Sequence, residues 1–220
     1  MDGLSVIKRL QSSAIGQEEL EEIFRSHRNE YRVLLHLASH PKFPQALALG
    51  IISKLFAPDL VRLVKNVKAN PFVRKKAELE FMQRYKRLAL GEKIALLKMA
   101  PNVLLLALSE ESHPQLLQAI LLSPSCSEEV VLRLVNRNGE RGTFYQALSE
   151  TPWPRNPAVA EAVAHDPEAP IRILLQIIPF LGLNGLQKMF GDENTHPAVR
   201  ERIRAFLDGR GSRGGSQSLP

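Results

Sequence analysis

Residues 69–82 read ANPFVRKKAELEFM, and this stretch decides the fold. Asn70 offers a side-chain acceptor at a helix N-cap. Pro71 suits the first helical position, where its missing N–H has no partner to lose. Behind them Val73, Ala77, Phe81, Tyr85 and Leu88 recur at helical spacing, which predicts one amphipathic helix over 71–88. The same pattern runs outward in both directions. Pro41, Pro71 and Pro101 stand 30 residues apart, Pro124 and Pro157 stand 33 apart, and Pro167 and Pro197 again 30. Each follows a residue able to end one helix or cap the next: His40, Asn70, Ala100, Ser123, Asn156, Asp166 and His196. Two apolar helical runs fill each period, and a period of this size marks a helical repeat array.

Further helices are expected at 2–12, 17–26, 29–39 and 44–55, from Pro58, at 92–99 and 101–108, and onward in short runs to 197–207. That makes about twelve to fifteen helices in all, counted from the capping and periodicity signals. Strict apolar–polar alternation between turns is absent, so no strand competes. The expected fold is all-α, an α-solenoid of short antiparallel helix pairs filling residues 1–208 as a single repeat domain. The tail from 209, GRGSRGGSQSLP, has too few apolar side chains to build a core and is expected to be disordered.

The totals agree. Apolar residues make up 44% of the 220 and aromatics only 6%, so Leu, Val, Ile and Ala must fill the interior. The densest apolar run, Val103 to Leu108, is far shorter than a membrane span. The start, MDGLSVIKRL, lacks a signal-peptide core. A single cysteine, Cys126, excludes an internal disulfide framework and a cysteine-based zinc site, and the cytoplasm is the expected location.

Several segments resemble HEAT-like repeats, and especially the leucine-rich-repeat-variant type of bacterial helical-repeat protein. They are SHPKFPQALALGIISKL (39–55), ANPFVRKKAELEFM (69–82), ESHPQLLQAILLSP (111–124), HDPEAPIRILL (165–175) and THPAVRERIRAFL (195–207). The resemblance covers about residues 30–207. It implies a superhelical fold and no activity. The variant family can carry a cysteine-bound iron–sulfur module, which Cys126 alone cannot hold.

Charge is the first functional candidate. Between Arg62 and Lys98 stand eleven Lys and Arg against three Glu, a net of +8 in a chain whose total is +6. Arg62, Lys65, Lys75, Lys76, Lys86 and Arg87 are the expected partner-binding residues, on stacked helices that would present one basic surface to an acidic protein segment or a phosphate backbone. The plainer reading is a solvated face that keeps the chain soluble. His36 and His40 have the i, i+4 spacing of a metal pair, but no third ligand accompanies them. His40, His113 and His196 share the slot before a proline, which assigns them to helix ends. Cys126, between two serines near a helix start, lacks a neighbouring cation. Trp153, between Pro152 and Pro154 in a rigid loop, is a recognition anchor or a plug on neighbouring helices. Arg210-Gly211 and Arg213-Gly214-Gly215 are too few for an RNA-binding tract.

The reading is therefore a non-enzymatic interaction scaffold or adaptor with a protein partner, with no catalytic, cofactor or metal residues and no membrane insertion. The alternative is a nucleic-acid-binding HEAT-like protein related in fold to alkylpurine DNA glycosylases, which bind the backbone on a basic face. That chemistry needs a carboxylate beside aromatic residues, and Asp59, Asp166, Asp192 and Asp208 all fall at apparent helix ends.

Overall fold

The computed structural model describes residues 3–12, 14–137 and 141–214, and all regular structure among them is helical. The chain divides into two compact units, Met1–Leu104 and Leu105–Pro220, where the sequence reads as one continuous domain. In the first unit the helices are α1 (Gly3–Leu10), α2 (Gln17–Ser26), α3 (Tyr31–Ser39), α4 (Gln45–Ile52), α5 (Ala57–Lys65), α6 (Pro71–Tyr85) and α7 (Leu90–Leu97). A short α8 (Asn102–Ala107) spans the division. The second unit holds α9 (Pro114–Leu121), α10 (Glu128–Val135), α11 (Gly142–Ser149), α12 (Pro157–Ala164), α13 (Ile171–Ile177), α14 (Leu183–Gly191) and α15 (Pro197–Gly214), with 3-10 turns at Trp153–Arg155 and Ile178–Phe180.

Helices contact both their neighbours in sequence, as α2–α3, α3–α4, α12–α13 and α14–α15 do, and the helix after next. In the second unit α9 packs on α11, α11 on α13 and α13 on α15, while α10 packs on α12 and α12 on α14. In the first, α1 packs on α3, α3 on α5 and α5 on α7, with α4 on α6. The closest partnership is α5 with α6. Each unit has its own core. Leu20, Leu37, Ile52, Leu60 and Phe81 are sealed in one, and Leu117, Val130, Leu134, Phe144 and Leu148 in the other. Burying one such side chain is worth about 1.5–3 kcal/mol, so the apolar stripes supply most of what holds these short helices.

The caps obey a longer period than the prolines suggest. Pro71, Pro114, Pro157 and Pro197 each occupy the first position of a helix. The residues before them, Asn70, His113, Asn156 and His196, stand 43, 43 and 40 apart. In every case the side chain accepts the N–H two residues on, at 2.9 Å for Asn70 and Asn156, 3.3 Å for His113 and 3.2 Å for His196. Proline itself has no N–H, so that amide is the first donor the helix end exposes. Pro41, Pro124 and Pro167 instead sit in turns between helices, and the 30-residue spacing joined these two kinds of proline. Two of the three turn prolines keep the same local bond: His40 Nδ1 accepts from the Lys42 N–H at 3.2 Å and Asp166 Oδ1 from the Glu168 N–H at 3.0 Å. All three pre-proline histidines are thus helix-end or turn acceptors.

Other boundaries shift slightly. The long helix α6 closes at Tyr85, three residues before Leu88. Val67 lies beyond the end of α5 and is 80% exposed. The last helix continues through Gly209 and Gly211 to Gly214, because glycine lowers helix stability without removing a backbone donor. Of the tail expected to be disordered, 215–220 lie outside the described residues. No helix among the described residues is long and apolar enough to cross a membrane.

Candidate functional site

The six cations named from the sequence all have exposed side chains. Helix geometry explains why. On α5 the inward residues Leu60, Val61, Leu63 and Val64 leave Arg62 and Lys65 on the opposite stripe. On α6, Val73, Ala77, Phe81 and Tyr85 face the core, which turns Lys75 and Lys76 to solvent, with Lys86 and Arg87 just past the helix end. Two of the six are tethered. Arg62 donates to Asp59 Oδ1 at 2.8 Å and Lys75 to Glu78 Oε1 at 2.6 Å. No ion pair among the described residues engages Lys65, Lys76, Lys86 or Arg87.

Not every cation of this stretch belongs to that surface. Arg84 pairs with Glu80 at 2.7 Å, donates to the Ser53 carbonyl at 2.6 Å and also to that of Leu55, so it closes off the end of α4. Lys93 lies 4.9 Å above the ring of buried Tyr85. Both are structural cations. The sequence reading also missed Phe72 and Leu79, which are 53% and 48% exposed on α6. The signal was present, because both positions fall opposite the Val73–Ala77–Phe81–Tyr85 stripe.

Each unit holds a tyrosine–aspartate–arginine bracket that the sequence did not disclose. In the first, the Tyr31 hydroxyl donates to Asp59 Oδ2 at 2.5 Å and accepts the Phe56 N–H at 2.9 Å, while Arg62 holds the other oxygen of Asp59. Burial, reinforced by the hydrogen bond to Asp59, raises the Tyr31 phenol above its ordinary range. In the second, the Tyr145 hydroxyl and the Arg141 guanidinium both donate to Asp166 Oδ2, and the Glu168 N–H donates to Oδ1. Burial pushes the Asp166 carboxyl up, but the bonds from Tyr145, the Glu168 amide and Arg141 outweigh it and hold the group below its ordinary range. Burial and the bond to Asp166 raise the Tyr145 phenol well above its usual value. Both oxygens of each aspartate are engaged, so each carboxylate ties together the groups around it.

A cleft of about 360 Å³ beside the second bracket is lined by Arg141, Glu161, His165 and Asp166. Another of about 440 Å³ in the first unit is lined by His36, His40, Asn66 and Lys68. Burial lowers both of those histidines, aided by Lys42 at His40, so both are neutral near pH 7. Among the described residues, no three His, Cys, Asp or Glu side chains are grouped to hold a metal ion. A third cleft, of about 750 Å³, lies across α11, α13 and α15 and carries Arg172, Arg202, Ile171 and Leu175. Burial pushes the Cys126 thiol up to about 12, which keeps it protonated and poorly nucleophilic. Trp153 donates its indole N–H to the Leu121 carbonyl at 2.8 Å, so the tryptophan is a plug between helices.

No protein-family model, curated protein or solved structure matches this chain.

Proposed function

We propose that the chain is a non-enzymatic interaction module, a HEAT-like α-solenoid that docks an acidic protein partner on the basic surface of its first unit. Contacts of each helix both with a neighbour in sequence and with the helix after next are what stacked two-helix repeats produce. The cap spacing of 43, 43 and 40 residues fits the repeat length of HEAT-type arrays.

One observation carries the docking site. Arg62, Lys65, Lys75, Lys76, Lys86 and Arg87 are all exposed, and four of them make no ion pair among the described residues. A face that served solubility alone would carry both signs interspersed. Here Arg62, Lys65, Lys75 and Lys76 stand on the two most closely packed helices of the unit and Lys86 and Arg87 just past the end of α6, a placement suited to one extended ligand. Exposed pairs contribute only about 0.2–1 kcal/mol each, so recognition requires several of them at once.

The test is affinity capture from nuclease-treated cell extract, with the native chain and with Lys75, Lys76, Lys86 and Arg87 all changed to Glu. A partner retained by the native chain through nuclease treatment and lost by the variant supports the reading. Retention by both variant and native chain moves the site elsewhere. Capture that disappears with nuclease assigns the surface to nucleic acid.

A further inference from the structure

The two apolar side chains stranded on α6 say more about the partner than the charge does. Phe72 and Leu79 are 53% and 48% exposed, although the inward face of the helix is already complete with Val73, Ala77, Phe81 and Tyr85. They stand seven residues apart, two helical turns, which places them on one stripe about 10 Å apart along the axis. Lys75 and Lys76 lie between them, three and four residues from each, one to either side of the stripe. Lys86 continues the stripe seven residues beyond Leu79. The surface is therefore an apolar strip one side chain wide, flanked by ammonium groups.

We propose that the solvent face of α6 docks an acidic amphipathic helix whose apolar side chains recur every seven residues and whose flanking positions carry Glu or Asp. The proposal rests on the reading of the first unit as the docking unit. Apolar residues at that spacing cover Phe72 and Leu79 together, and the carboxylates beside them meet Lys75, Lys76 and Lys86. Apolar contact with charges at its rim is the usual division of labour at an interface. A phosphate backbone has no apolar group to cover Leu79. A bilayer needs a broad continuous apolar face, and the flanking lysines interrupt this one on both sides.

The experiment uses the full chain and two labelled synthetic peptides of about 20 residues, long enough for a helix of roughly 30 Å. Both contain the same numbers of Glu and Leu. One places Leu at every seventh position, and the other distributes Leu around the helix. The expected result is that the seven-residue peptide binds about tenfold more tightly, a difference of about 1.4 kcal/mol. Phe72→Ala with Leu79→Ala should erase that preference and leave weak, salt-sensitive binding of both peptides, with the helical melt unchanged. Equal affinity of the native chain for the two peptides overturns the apolar register, and the docking reading survives if the fourfold charge reversal still abolishes binding of both. If charge reversal leaves binding intact, the basic face itself is the wrong surface and both readings fall. Tighter binding of a duplex DNA fragment or of phosphatidylserine vesicles than of the seven-residue peptide, or self-association of the chain at low salt, assigns the face to a different occupant and overturns the proposal.

Discussion

The two units are built alike and charged differently. The first, Met1–Leu104, carries 18 Lys and Arg against 10 Asp and Glu, a net of +8, while the second, Leu105–Pro220, carries 11 against 13, a net of −2. Both use proline-led caps, contacts with the helix after next and a tyrosine–aspartate–arginine bracket. The positive charge is thus no requirement of the architecture, since the second unit is built without it. The brackets differ in the same sense. Arg62 of the first is 66% exposed, whereas Arg141 of the second is 19% exposed.

That contrast predicts unequal consequences. The largest is Asp166→Ala, which leaves the hydroxyl of Tyr145, only 2% exposed, without its acceptor. A loss of about 3 kcal/mol in urea unfolding is expected, against about 1 kcal/mol for Asp59→Ala, whose partners Tyr31 and Arg62 reach water. Equal losses would show that the two brackets are equivalent and break the distinction.

Acid should act on the second bracket in a defined direction. The Asp166 carboxyl is depressed in the folded chain, so its contribution is fully present above the unfolded aspartate value, near pH 4, and is lost as pH falls through the lower folded value. Asp166→Asn should be less stable at neutral pH and should flatten the decline in melting temperature below pH 4. An unchanged slope would remove Asp166 from the acid response.

Smaller effects are expected at the caps. His113→Asn installs the residue found in the equivalent slots at 70 and 156 and should be close to neutral. His113→Ala removes the acceptor for the Gln115 N–H and should cost about 0.5–1 kcal/mol. If Asn and Ala behaved alike in chemical denaturation, the pre-proline bond would be incidental.

How much of this was legible in the sequence depended on whether the determining contacts were local. The helices, their inward stripes and the caps were readable because a cap bond spans two residues and a stripe spans four. The basic residues were readable as exposed for the same reason. The brackets were not, since Tyr31 meets Asp59 across 28 positions and Tyr145 meets Asp166 across 21, with no period to reveal either. Arg84 is a brace through its bonds to the Ser53 and Leu55 carbonyls, about thirty residues earlier, and no local pattern marks it as one. Phe72 was legible in principle, but a phenylalanine beside a proline-led cap reads most simply as core. The proline period failed differently, because helix-opening and turn prolines look identical in sequence.

The first unit, and not the second, is the docking unit we propose. The most direct measurement is titration of a labelled poly-glutamate peptide against three versions of the full chain at low salt. These are the native chain, the chain with Lys75, Lys76, Lys86 and Arg87 reversed to Glu, and the chain with Arg172 and Arg202 of the second unit reversed to Glu. The native chain and the second-unit variant are expected to bind alike and the first-unit variant at least tenfold more weakly, with the helical melt of all three still cooperative. Loss of binding confined to the Arg172 and Arg202 variant would contradict it.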